Sequence, residues 1–169
     1  PVITIASPAA AAYQHFGTVA ASFSAADSPA GVASVTATLD GTAIADGATI
    51  GLLATALGQH ALTVTATDNV GNTGTSSVTF TVVATIESLI GSVNELYAAG
   101  QIDNEGIQNS LLVKLAKYQK DNGDIVDAKN YLNNFINEVS AQSGKHLTVS
   151  AASTLLTDAG YVVAHLPAQ

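Results

Sequence analysis

The chain contains no cysteine, methionine, tryptophan or arginine. Without cysteine no disulfide can form, a composition that fits an exported bacterial protein but does not require one. Without arginine, and with only five lysines against thirteen acidic residues, the formal net charge is -8. A nucleic-acid-binding surface neutralises phosphates with Lys and Arg; this chain is poorly equipped to do so, which argues against nucleic acid as a partner and against an anionic membrane surface for the same reason. No apolar run is long enough to span a bilayer, and no signal peptide is visible. The opening PVITIASP is already in strand register, as expected of a segment cut from a longer polypeptide, so a missing signal says nothing about destination.

The stretch from Ser77 to Ile90, SVTFTVVATIESLI, divides the sequence. On its left Val78, Phe80 and Val82 alternate with Thr79, Thr81 and Val83, the period of a strand with one buried face. On its right Ile86, Leu89, Ile90, Val93, Leu96 and Tyr97 recur at three and four residues, the period of an amphipathic helix. No Gly or Pro intervenes. The pattern predicts an all-β domain over residues 1–84 and an all-α domain over 85–169, two small modules with modest cores.

In the first half, Ile3 and Ile5 form one face of a strand that Pro8 stops. Val19, Ala21 and Phe23 predict a second, and Ala33, Val35, Ala37 and Leu39 a third. Asp40-Gly41 is a strong hairpin signal, with a return strand over residues 42–45. Asp46-Gly47 is another turn, residues 49–53 a further strand, and Leu62, Val64 and Ala66 the inward face of the next. Asp68-Asn69-Val70-Gly71-Asn72 closes a tight turn before the last strand, 75–83. About seven short strands separated by turns are the signature of an immunoglobulin-like sandwich. The runs VASVTATLDGTAI and GQHALTVTATDNVGNTGTSSVTFTV resemble the bacterial Ig-like repeats of secreted and surface proteins, whose last hairpin carries a G-x-Y/H-x-L-x-V-x-A-x-D-x-x-G-N pattern. That resemblance marks fold more than function.

Three features of this half invite a functional reading. His60 shares parity with Leu62 and Val64 and stands where such domains often carry a corner tyrosine; a structural role accounts for it without a ligand. Asp68, Asn69 and Asn72, with Asp27 or Asp46, offer oxygens suited to calcium. A turn held by its own Asx side chains explains the same residues more simply. Tyr13, with His15 and Phe16, lies in the loop after Pro8 and is the best candidate for an exposed aromatic group that stacks on a sugar. The half has no lysine, so an internal Lys–Asn isopeptide bond cannot form within it.

In the second half a first helix should run from about Thr85 to Ala99, ended by Gly100. Asp103 or Asn104 can cap a second helix with the stripe Ile107, Leu111, Leu112, Leu115 and Tyr118, and with Lys114, Lys117 and Lys120 on its wet side. Asn122-Gly123 turns the chain and Asp124 caps a third helix, whose stripe includes Ile125, Ala128, Tyr131, Leu132, Phe135, Ile136 and Val139. Ser143-Gly144 ends it. Ser150 can cap a fourth, carrying Leu155, Leu156, Ala159, Val162, Val163 and Leu166, with Gly160 as an interruption. Short loops favour an antiparallel bundle. The runs IESLIGSVNELYAAGQIDNEGIQNSLLVKLAKYQK and LNNFINEVSAQSGKHLTVSAASTLL resemble the FIMAH helical domain, found near the C-termini of large secreted bacterial proteins beside hydrolase and Ig-like modules. The resemblance implies a non-catalytic accessory module and brings no catalytic residues with it.

Chemistry is otherwise sparse. Glu87, Glu95, Glu105 and Glu138 read as helix-face or helix-start residues rather than a glycosidase pair. No G-x-S-x-G, H-E-x-x-H or phosphate-binding glycine loop is present. Asp121, Asp124 and Asp127 form a small acidic group that offers oxygens to a cation, although helix capping and a solvated first turn explain it more simply. The expectation is a non-enzymatic spacer tandem of a secreted or cell-surface multimodular protein, whose partners are neighbouring domains and, through them, a polysaccharide-degrading enzyme. The alternatives are a module binding polysaccharide or a cell-surface glycan, and an adhesin stalk. No cofactor is expected beyond the calcium considered above.

Overall fold

A computed structural model describes residues 1–120 and 125–166. The chain divides into two compact units. One comprises Pro1–Tyr13 and Thr18–Val83; the other takes in Gln14–Gly17 and everything described from Ala84 onward.

The first unit is built from strands β1 (Val2–Ser7), β2 (Ala12–Gln14), β3 (Thr18–Ala20), β4 (Ser22–Ala26), β5 (Val32–Leu39), β6 (Thr42–Ala43), β7 (Thr49–Gly51), β8 (Gly58–Asp68) and β9 (Thr73–Val83), with a 3₁₀ turn at Leu52–Ala54. One sheet has the order β2-β9-β8-β5-β6; β1 pairs with β4 and β3 with β7. The pairs β1–β4, β3–β7, β5–β6, β5–β8 and β8–β9 are antiparallel. This is the immunoglobulin-like sandwich expected from the turn spacing. Inward residues alternate along the long hairpin: Leu62, Val64, Ala66 and Val82 are fully buried and Phe80 nearly so. They feed two clusters, one around Ala37, Leu62 and Val64, the other around Leu52, Phe80 and Val82.

The departures from expectation have local causes. The single strand expected over Val19–Phe23 is two, because the chain changes partners. β3 pairs with β7 and β4 with β1, while the Ala21 amide between them donates to Ala48. Asp40 and Gly41 take φ of 50° and 84°, the left-handed pair that a two-residue hairpin turn requires. The return strand is only two residues long, so the outer edge of β5 is uncovered beyond it. Val35 is half-exposed there although it shares the inward parity.

The second unit is a four-helix bundle of α1 (Ile86–Ala98), α2 (Glu105–Lys120), α3 (Ile125–Gln142) and α4 (Val149–Ala164). Each helix packs on the next, and α4 returns to α1. Leu89, Val93, Leu111, Leu115, Leu132, Phe135, Val139 and Leu155 fill its core, all from the predicted stripes. α1 starts with a reciprocal cap, the Thr85 side chain accepting from the Ser88 amide and the Ser88 hydroxyl accepting from the Thr85 amide. It ends as Gly100 predicted: the Gly100 amide bonds to Tyr97 and that of Gln101 to Leu96, the paired pattern of a left-handed glycine stop.

Of the two candidate caps for α2, Asn104 serves, accepting from the Ile107 amide, while Asp103 instead meets His146. α4 is capped two residues earlier than Ser150, by Thr148, whose hydroxyl accepts from the Ala151 amide. Gly160 does not break this helix. The Asn122-Gly123 turn and the Asp124 cap lie outside the described residues. The connections α1–α2 and α3–α4 are zipped together by an antiparallel bridge between Ile102 and Leu147, both 1 % exposed. No described helix is long and apolar enough to cross a membrane.

Candidate functional site

The polar side chains fall into three settings. The first is the turn between β8 and β9. Asp68 Oδ1 accepts from the amides of Val70 and Asn72, and Oδ2 from the Asn72 side-chain amide. Asn69 reaches across to the Ala30 carbonyl. The side chains considered for calcium therefore spend these contacts inside the loop; Asp27 lies 2.8 Å from the Pro1 nitrogen. Among the described residues, no group of three or more His, Cys, Asp or Glu is placed to hold a metal ion.

The Asn72 side-chain amide holds the Asp68 carboxyl below the usual carboxylate range, against the opposing pull of burial and with help from the two backbone amides. Asp40 is lowered likewise, first by His60, with burial opposing and the Ala61 amide assisting. A pKa lower in the folded than in the unfolded state adds stability above the unfolded value and loses it as pH falls through the folded one. The sandwich should therefore weaken as pH falls through and below the ordinary carboxylate range. An Asp40→Asn/Asp68→Asn variant should show a flatter dependence of its urea midpoint over that window, followed through the amide signals of β8. An unchanged slope would assign the acid sensitivity elsewhere.

His60 carries out the structural role. Its Nδ1 lies 2.6 Å from Asp40 and its Nε2 2.7 Å from the Ala56 carbonyl, with the ring 5.5 Å from that of Phe80. It ties the hairpin turn at Asp40 and the Ala56 carbonyl, just after the 3₁₀ turn, to the core. Tyr13 is half-buried rather than a free platform. Its ring meets Phe80 edge-on at 5.6 Å and its hydroxyl accepts from the Ala9 amide.

The second setting is inside the helical unit, which the segment Gln14–Gly17 enters as a fifth element. The Thr85 hydroxyl donates to the Gln14 side chain at 2.7 Å. His15 is 5 % exposed and its Nδ1 lies 2.6 Å from Oδ1 of Asp158, which is wholly buried on α4. The Ser92 hydroxyl donates to the His15 carbonyl, and the Gly17 amide to Glu95. The Phe16 ring lies over Gly91 so closely that a Cβ there would sit 2.5 Å from it. His15 and Phe16 are thus structural here, not an exposed aromatic group. This pairing escaped the sequence reading. Its available signals were Asp158 within the Leu155–Ala159–Val162 stripe and a glycine at Gly91 inside an apolar helix, where it costs about 1 kcal/mol relative to alanine.

The third setting is an open groove of about 470 Å³ between α2 and α3, lined among others by Asn109, Ser110, Lys114, Lys117, Tyr131 and Asn134. Its floor is fixed. Lys114 Nζ lies 2.5 Å from Glu138 Oε2, and the Ser110 hydroxyl bonds to both. Its walls are open: Asn109, Lys117 and Asn134 are exposed, and Val113 is 52 % exposed. Glu87 and Glu105 are exposed near helix starts, and Glu95 and Glu138 are engaged as above. Asp121 and Asp124 lie outside the described residues, and Asp127 is exposed in the first turn of α3.

Residues 86–164 match the model of the FIMAH domain, so the resemblance read from the helical half holds, and the match covers the bundle from the start of α1 to the end of α4. Among solved structures the chain is similar to the fibronectin(III)-like modules of Clostridium thermocellum CbhA, at 22 % identity and a TM-score of 0.36, over 48 % of this chain and 96 % of that one. No curated protein matches the chain.

Proposed function

We propose that this chain is a non-catalytic accessory tandem of an exported, multimodular bacterial protein, and that it positions a neighbouring polysaccharide-degrading enzyme. The observation that carries the reading is the FIMAH match on a bundle that follows a sandwich directly. β9 ends at Val83, α1 begins at Ile86, and Thr85 caps it. A join of this kind lacks the glycine- and serine-rich composition of a flexible linker. The polar contacts support the non-catalytic side of the reading. Each His–Asp pair holds a turn, an inserted segment or a pair of loops.

The test is deletion of residues 1–169 from the parent protein. Hydrolysis of insoluble polysaccharide should fall several-fold, while kcat/KM on a soluble oligosaccharide stays unchanged. The isolated tandem should release no reducing sugar. Release of sugar by the tandem, or an equal loss on both substrates, would overturn the reading.

A further inference from the structure

We propose that the groove between α2 and α3 is a saccharide-binding site, selective for a chain that carries an isolated carboxylate, that is, a uronate. The choice of ligand class rests on the accessory reading above; the site itself rests on the groove.

Its chemistry is mixed in the way a sugar requires. Asn109 and Asn134 stand on opposite helices, exposed, and each amide offers both donors and an acceptor, which suits vicinal hydroxyls. Tyr131 supplies an aromatic surface with a polar tip, and Val113 an apolar rim. Beneath them Lys114 is neutralised by Glu138, so it contributes order rather than charge. Lys117 is different. It is exposed, and no acidic side chain pairs with it among the described residues. In a chain with five lysines and a net charge of -8, two of the five line this one groove.

An ammonium is a point charge. Phosphate recognition commonly adds the planar fork of arginine, which this sequence lacks. The overall negative charge disfavours a densely charged polyanion, so the fitting ligand is a mostly neutral chain with one carboxylate near Lys117. The volume falls within the range of about 300–1,000 Å³ usual for small-ligand sites. The groove is open along the helices, so it admits a segment of a polymer.

The test is a titration of the full chain followed by amide NMR. Its ligands are xylo-oligosaccharides with and without one glucuronate, oligogalacturonate, and inorganic phosphate. The xylo-oligosaccharide with one glucuronate should shift signals of residues 106–117 and 131–134 and bind about tenfold more tightly than its neutral counterpart, and more tightly than oligogalacturonate. Lys117→Gln should remove that tenfold preference without changing binding of the neutral sugar. Asn134→Ala should weaken both about three- to tenfold. High salt should erase the preference by screening the charge. Both replaced residues are exposed, and unchanged signals elsewhere report that the fold is kept.

If no sugar shifts these signals at about 10 mM, or if Lys117→Gln leaves the preference intact, the proposal is overturned. Equal binding of phosphate would reduce the groove to a general anion site and overturn it as well. None of these outcomes depends on the hydrolysis assay, which tests the accessory reading separately.

Discussion

Replacing His15 with Leu should lower the stability of the helical unit by about 3–5 kcal/mol, the usual consequence of removing one member of a buried, hydrogen-bonded polar pair. Asp158 is wholly buried on α4, and its Oδ1 lies 2.6 Å from His15. Among the described residues no donor reaches its other oxygen. Without the imidazole, the Asp158 carboxyl stays buried in an apolar bundle without the partner that compensates its burial. Asp158→Leu should cost a comparable amount, since the imidazole then loses its acceptor. The double variant His15→Leu/Asp158→Leu should recover most of the loss, because two apolar groups of similar volume can replace a buried pair at little net cost. The check is a double-mutant cycle by urea denaturation, followed through the helical signal. Additive losses, or single variants within about 1 kcal/mol of the parent, would mean that the pair contributes little and that the segment Gln14–Gly17 is held by its other contacts.

Phe135→Ala should be as severe. Phe135 is fully buried on α3, and truncating a core phenylalanine costs about 3–5 kcal/mol through lost burial and the cavity left behind. A small domain has roughly 5–15 kcal/mol in total, so the change would consume a large share and lower the thermal midpoint of the bundle by many degrees. Val149→Ala is the matched control. Val149 is 70 % exposed at the start of α4, and the substitution should stay within about 0.5 kcal/mol. Similar effects for the two would place the core of the bundle elsewhere.

Phe135 was legible in the sequence and His15 was not, and the difference is physical. Phe135 belongs to a stripe whose members stand three and four residues apart, so local periodicity reveals its burial. His15 is buried by a residue 143 positions away, and nothing within reach of a local window reports that distance. The hairpin at Asp40-Gly41 was readable because two left-handed residues in succession demand that dipeptide. The cap of α4 was misplaced because Thr148 and Ser150 are both able caps, and the choice falls to Leu147, which is buried and bridged to Ile102. The strand break at Ala21 could not be read because alternation continues through it; only the change of pairing partner marks it. As for the candidate site, the wet face of α2 was visible as Lys114 and Lys117. The groove was not, because it needs α3 beside α2 with Tyr131 and Asn134 in register.

The segment Gln14–Gly17 also changes what it means to take this protein apart. A family boundary drawn at residue 86 suggests that the bundle can be excised by cutting the chain once, after Val83. Such a fragment would leave behind His15 and Phe16. Asp158 would then face an open seat and Gly91 a vacated hollow, and the piece would be handicapped before any ligand was offered to it. Supplying Gln14–Gly17 in trans as a short peptide, or grafting it onto the excised helices, would be the minimal repair. Recombination that moved the bundle to a new host gene without that tetrapeptide would face the same deficit.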